Sequence, residues 1–317
     1  MQKVLTILPQ SIGGRLTTSS IKDGFETNCV KTDIFDTLKE NSNKLFFDDY
    51  AFVLGYDYGA IEFCLKNNID LPCINYFSDV IDDIHAGKDW KKYYDYLKKS
   101  SSLTFYWDKE LSKANNNIKN LFYLPHFVNT DLYKNTNSEK IFDVIFTGRL
   151  DTDYRLKTFL NLIKLMPELK FGWFAFEKHY LDAMSRISEL EKPLLKKAYQ
   201  YFVETEEEMA KILNSTKMVI NFNEQGVSSL NYRTFQAFAC ETFILNDYRS
   251  EGVEYFKDNY IYYKNFDDMV KKIEFYIQNE TERKNISKNL RNITAEKFSH
   301  KIGAAKILEK AKEIFDV

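Results

Sequence analysis

The chain of 317 residues lacks most of what would mark a metal protein, a membrane protein or a nucleic-acid binder. Its four cysteines, Cys29, Cys64, Cys73 and Cys240, form no C-x-x-C pair and no other metal-ligand spacing, which argues against a structural zinc. All four stand among apolar neighbours, so the expectation is reduced core thiols of an intracellular protein. No apolar run approaches the ~18 residues of a membrane span, and the sequence enters a strand-like run at once, without a basic segment and cleavage site. The expected location is therefore the cytoplasm. A formal net charge of −2 gives no bulk attraction for nucleic acid. The loop after the first strand-like run has no G-x-G-x-x-G, which excludes the dinucleotide fingerprint.

What is present is enough apolar material for two cores: 44% hydrophobic and 16% aromatic residues in a length that exceeds one ordinary domain. Short apolar runs at residues 4–8, 51–54, 73–76, 103–107 and 121–124 alternate with helix-like stretches. That rhythm predicts an α/β fold with a parallel sheet. Residues 9–20 read as a loop whose Gly13 and Gly14 would let backbone approach a ligand, with Arg15 beside them. Polar residues follow the later strands: Asp57 and Tyr58 after one, Ser78, Asp79, Asp82, Asp83 and His85 after another. By strand-end position alone, Asp79 and His85 are the candidate catalytic residues, with Asp83 near them. His126 and Asn129 follow the last of these strands, and a histidine there is more often structural than catalytic. KNTNSEK, residues 134–140, is polar and lacks large apolar side chains, as a linker does.

A second domain opens at residues 142–147, with Gly148 and Arg149 at the strand end and Arg155 and Lys157 shortly after. Residues 169–176 read as its next strand, and Thr205 with Glu208 makes a capping box. The most informative stretch is 217–247, KMVINFNEQGVSSLNYRTFQAFACETFILND, laid out as strand, loop, helix and strand. Ser228 or Ser229 is the expected cap of its helix, in which Arg233 and Gln236 lie about 4.5 Å apart along the axis. A ligand beyond the two strands would meet free N–H groups of the loop from Gly226 to Ser229, the helix dipole and Arg233. That is a site for an anion, most naturally a diphosphate.

NYRTFQAFACETFILND resembles the R-x-F-E-A-x-A-C-G-x-F-x-L-x-D stretch of the CgeB-like, spore maturation type glycosyltransferases, which have the GT-B fold of two Rossmann-like domains facing a central cleft. IFTGRLDTDYRLKTFLNLI, residues 145–163, is similar to the strand, Gly-Arg turn and helix that open their C-terminal domain. The tail over residues 260–302 resembles their closing helices. The likeness covers roughly residues 141–305, about half the chain. It implies an N-terminal, acceptor-binding domain at residues 1–135, a nucleotide-sugar-binding domain at 141–298, and a last helix at 299–317 that crosses back to the first domain.

The resemblance also implies an activity: a glycosyltransferase, hexosyl or pentosyl, moving a sugar from a nucleotide-sugar co-substrate to a glycan, lipid-linked or protein acceptor. No metal or other cofactor is expected. Arg233 and Arg149 would hold the diphosphate, with Gly148 giving it room, Arg155 or Lys157 assisting, and Gly226, Ser228 and Ser229 presenting backbone. Where the relatives carry a Glu on the donor ribose this chain has Gln236, and where they carry Gly it has Glu241. Other readings are a DNA-modifying glycosyltransferase, a nucleotide-sugar epimerase and a binding protein without activity. Residues 88–99, KDWKKYYDYLKK, mix Lys with Trp and Tyr as an interfacial helix would, although a solvated helix with one aromatic face is the commoner use of that pattern.

Overall fold

The computed structural model describes residues 3–39, 46–77, 102–223 and 226–315. These form two compact units, one made of residues 1–129, 225–231 and 296–317, the other of 130–224 and 232–295. Asp79, Asp82, Asp83, His85 and the segment 88–99 lie outside the described residues.

In the first unit the order is β1 (Lys3–Leu8), α1 (Ile12–Thr27), β2 (Thr32–Asp36), β3 (Tyr50–Tyr56), α2 (Gly59–Asn67), β4 (Cys73–Phe77), β5 (Leu103–Tyr106), α3 (Lys109–Ala114) and β6 (Leu121–Tyr123). The strands pair in parallel in the order β2-β1-β3-β4-β5-β6. All five residues of β4 and all four of β5 are buried, which is why these strands read as unbroken apolar runs. The edge strand β2, TDIFD, keeps polar side chains because one side faces no partner strand. Its Asp33 accepts from the Tyr50 hydroxyl at 2.8 Å and from Lys3.

Two sequence expectations fail here. Gly13 and Gly14 lie not in a loop but in the first turn of α1, whose N-cap Ser11 accepts from the Gly14 N–H. A Cβ on Gly14 would come within 2.7 Å of Pro9 and Tyr56, so the glycine serves close packing. Arg15 is committed to a partly buried ion pair with Asp36, whose carboxyl that hydrogen bond holds below its usual range. Cys29, expected in the core, is exposed at the turn after α1, while Cys64 and Cys73 are buried with sulfurs 3.3 Å apart.

The second unit runs β7 (Phe142–Thr147), α4 (Asp153–Leu165), β8 (Phe171–Phe174), α5 (Glu177–Ser185), α6 (Lys192–Ala198), α7 (Glu206–Asn214), β9 (Thr216–Ile220), α8 (Tyr232–Ala239), β10 (Phe243–Asp247), α9 (Ser250–Phe256), β11 (Tyr262–Tyr263), α10 (Phe266–Gln278) and α11 (Glu280–Lys297). Its parallel sheet has the order β11-β10-β9-β7-β8. Thr205 caps α7 as expected, accepting from the Glu208 N–H. The Glu208 carboxylate in turn accepts from the N–H of Glu204, one residue before the cap.

The last helix, α12 (His300–Phe315), belongs to the first unit and packs on α1. Gly24 makes the contact possible, since a Cβ there would lie 2.4 Å from the His300 carbonyl and 2.7 Å from Ala304. Ala304, Ile307, Leu308 and Ala311 enter the first unit's core. Among the described residues no helix is long and apolar enough to cross a membrane, and no group of three or more His, Cys, Asp or Glu side chains is placed to hold a metal.

Candidate functional site

In the second unit's own chain order, the sheet reads 2-1-3-4-5, because β7 lies between the later strands β8 and β9. The winding direction reverses between β7 and β9. Open parallel sheets bind ligands beyond the carboxyl ends of their strands at such a reversal. The residues that this unit places there are Gly148 and Arg149 after β7, Arg155 in the first turn of α4, Phe222 and Asn223 after β9, and Arg233 in the first turn of α8.

Arg233 is the most unusual of them. It is partly buried, its Nη1 donates to Gln236 Oε1 at 2.7 Å, and its Nε is buried without a partner. No carboxylate pairs with it among the described residues. Burial lowers its pKa from the ordinary guanidinium value. A desolvated cation held by a neutral amide, at a helix N-terminus whose dipole adds positive potential, has the chemistry to take an anion.

The other predicted cations divide. Arg149 pairs with Asp151 at 3.2 Å but keeps about half of its side chain exposed. Arg155 is largely buried and already spent: Nη1 meets Asp151 at 3.2 Å and the Arg149 carbonyl at 3.4 Å, and Nη2 meets the Phe222 carbonyl at 3.4 Å. It braces the β7 loop against the end of β9. Lys157 is exposed and pairs one helical turn back with Asp153. Gly148 has φ +139°, a conformation that favours glycine, and its carbonyl accepts from the Trp173 indole at 2.9 Å.

Gln236, expected on the donor ribose, has both ends of its amide engaged within the unit. It is 1% exposed, its Oε1 is taken by Arg233 and its Nε2 donates to the Tyr133 hydroxyl. A neutral amide can donate and accept at once, so both of its ends are used inside the unit to fix Arg233.

Ser228 and Ser229 also correct the sequence reading. They lie too far ahead of Tyr232 to cap α8, and they belong to the first unit with Gly226. Their hydroxyls accept from the Glu110 and Lys109 N–H groups at 3.2 and 3.1 Å, so they serve the start of α3 instead. The N–H groups of Val227, Ser228 and Ser229, expected to face phosphate, all donate to Asp108 Oδ2 at 2.8, 2.9 and 3.1 Å. Asp108 Oδ1 accepts from Glu110 and Leu111 as the N-cap of α3. Burial works to raise the Asp108 pKa, but the backbone donors outweigh it and hold the carboxyl below its usual value. Gly226, with φ +76°, allows this closure: a Cβ would lie 2.4 Å from Trp107 and 2.8 Å from Asp108 Oδ2.

His126 is buried between the Trp107 ring, stacked 5.1 Å away, and the Tyr76 hydroxyl at 3.0 Å from Nδ1. Desolvation pushes its pKa down to about 3, so it is a neutral packing residue. Asn129 bonds Asp23 at 2.9 Å.

Asp247, at the carboxyl end of β10, escaped sequence reasoning. It accepts from the Asn223 backbone and side chain at 3.2 and 2.9 Å and pairs with Arg249 at 2.9 Å. Burial raises its pKa against those partners. An acidic residue ending a strand was the signal available.

Residues 171–309 match the family described as glycosyl transferase-like. No curated protein sequence matches the chain significantly. Solved structures share its fold along its whole length. A glycosyltransferase from Rickettsia africae ESF-5 is 14% identical with a TM-score of 0.70, covering 99% of this chain and 98% of its own. Sucrose-phosphate synthase from Thermosynechococcus elongatus is 10% identical with a TM-score of 0.71, and both chains are covered completely. Anabaena Alr3699/HepE, solved in complex with UDP-glucose, is 12% identical with a TM-score of 0.71, covering 99% of this chain and 100% of its own. The chain has the GT-B fold, two Rossmann-like units with parallel sheets, and a glycosyl transferase-like region over 171–309.

Proposed function

We propose that this chain transfers a glycosyl group from a nucleotide-sugar donor to an acceptor, with the donor diphosphate on Arg233. The observation that carries the reading is the state of that arginine: partly buried, at a helix N-terminus beside the strand reversal, and bonded to a neutral amide, with no carboxylate pairing it among the described residues. The nucleotide sugar bound by HepE, which shares the fold, supports the donor class.

In the reaction, the bond between the anomeric carbon and the diphosphate oxygen breaks while the acceptor oxygen bonds that carbon and gives up its proton, which the departing phosphate can take. The charge that grows on the leaving diphosphate meets Arg233, the α8 dipole and Arg149, so these groups bind the transition state better than the ground state. Arginine supplies the countercharge, so binding independent of magnesium is the expected behaviour. The acceptor class that fits the resemblance is a glycan, a lipid-linked sugar or a protein, reached from the cytoplasm.

The test is calorimetric titration of UDP, GDP, ADP, CMP and dTDP, with and without magnesium. One nucleotide should bind selectively. Arg233→Ala should weaken it about 10- to 100-fold, the worth of one or two charge-assisted hydrogen bonds, while circular dichroism stays unchanged. An Arg233→Ala variant that binds as well as the parent would remove the central site.

A further inference from the structure

The second unit holds a cavity of about 610 Å³ on the sheet edge opposite to the strand reversal. It is lined by Thr216 and Phe243, the first residues of β9 and β10, by the polar segment 135–140 and by α11. No part of the proposed donor site contributes to it.

Its charges are unevenly spent. Lys284 pairs with Glu280 at 2.6 Å, Lys217 pairs with Asp143 at 2.7 Å, and the Glu241 carboxylate accepts from the Asn135 amide at 3.0 Å. Lys140 donates only to the Asn214 carbonyl, and Arg283 only through Nη1 to the carbonyls of Tyr276 and Ile277. Neither has a carboxylate partner among the described residues, and Arg283 keeps Nε and Nη2 without a partner there. Lys288 adds a third cation with no carboxylate pair among the described residues, against two lining carboxylates that no cation pairs there, Glu139 and Glu241. Burial first, and Arg283 next, hold the Lys140 ammonium below its ordinary pKa, and the nearby Glu241 carboxylate offsets this only in part.

A second observation is independent of charge. Ser287, which lines the cavity from α11, is 2% exposed and its hydroxyl has no partner. An unmet buried hydroxyl costs roughly 1–3 kcal/mol. It is the kind of group that a bound ligand satisfies. Much of the remaining lining is amide and hydroxyl, from Asn135, Asn137, Ser138 and Asn285, with Phe243 the one aromatic ring. That suits a hydroxylated body better than a planar base.

We propose that this cavity binds a small phosphate ester of a polyhydroxylated body, of the sugar-phosphate class, with the phosphate between Lys140 and Arg283 and within reach of Ser287. The site is separate from the donor site, and it does not rest on glycosyl transfer.

The experiment is calorimetric titration of the full chain with glucose 6-phosphate and, separately, inorganic phosphate, in the parent, Lys140→Gln, Ser287→Ala and Arg233→Ala proteins. Glutamine can still donate to the Asn214 carbonyl, and Ser287 has no bond to lose, so both variants should fold, which circular dichroism checks. The expected result is saturable binding of glucose 6-phosphate, weaker by tenfold or more in Lys140→Gln and severalfold in Ser287→Ala, and unchanged in Arg233→Ala. No saturation at millimolar ester would overturn the proposal. So would binding lost in Arg233→Ala but kept in Lys140→Gln, which would place the ester at the donor site. Inorganic phosphate binding as tightly as the ester would overturn the assignment of a hydroxylated body.

Discussion

Gln236 carries the sharpest conflict between resemblance and geometry. Aligned by its neighbours in Q-A-F-A-C, it takes the place of a carboxylate that would hold a ribose, which predicts that Gln236→Glu restores donor binding. In the structure the amide is buried and lies 2.7 Å from Arg233. A carboxylate there would pair with the guanidinium and cancel the charge on which the proposed diphosphate site depends. Gln236→Glu is therefore expected to weaken nucleotide diphosphate binding about tenfold, some 1.4 kcal/mol. Titration of the nucleotide that the parent prefers decides it, and equal or tighter binding in the variant would return the residue to the ribose. The position of Arg233 was legible in sequence, because a cation in the first turn of a helix after a strand has a local signature. Its support was not legible: Tyr133 reaches Gln236 from 103 residues away, and nothing local in KNTNSEK or its approach announces that hydrogen bond.

At the level of elements, the buried strands were readable because burial on both faces removes polar residues from them. β2 and β11 were missed for the complementary reason, one being a polar edge strand and the other two residues long. The serine pair shows a different failure. The capping chemistry was present in the sequence, but it serves α3, more than a hundred residues earlier, and not the helix nearest in the chain. Asp108 is the centre of that arrangement, with one oxygen on the start of α3 and the other on three N–H groups of the 227–229 loop. Asp108→Asn replaces one acceptor with a donor facing donors, and should cost about 3 kcal/mol, measured as a lower urea midpoint. The pH dependence has a definite sign. The folded carboxyl titrates below the unfolded value of roughly 3.9, so its contribution is complete above that value and fades as pH falls through the folded one. The difference between parent and variant should thus be constant from about pH 5 to 8; a difference that vanishes near neutrality would mean that Asp108 is not held as an anion.

At the scale of the whole molecule, the order of the chain and the order of assembly differ. The first unit takes residues 1–129, the 225–231 loop and the segment 296–317, so its core is not complete until the last helix has been added. The fold class was legible from alternating strands and helices, since that rhythm is local. The closeness of the return was not, because it depends on Gly24 and Gly303, whose meaning appears only with their neighbours. A Cβ on Gly303 would lie 2.3 Å from the Phe127 ring, and one on Gly24 would strike the His300 backbone. Backbone bonds tie the same junction, from the His300 N–H to the Val128 carbonyl at 2.8 Å and from the Val128 N–H to the Phe298 carbonyl at 3.0 Å. Removing residues 296–317 would expose the apolar face of α1 and strip Ala304, Ile307, Leu308 and Ala311 from the core. Two of those are large aliphatic side chains worth about 1.5–3 kcal/mol each when buried, a substantial part of the 5–15 kcal/mol that holds a domain folded. The chain shortened to residue 295 should therefore lose the first unit while retaining the second, whose residues 130–224 and 232–295 are all still present. Limited proteolysis read by mass spectrometry separates the outcomes: cleavage concentrated in residues 1–129 is expected, whereas equal resistance along the shortened and full chains would show that α12 is dispensable to that core.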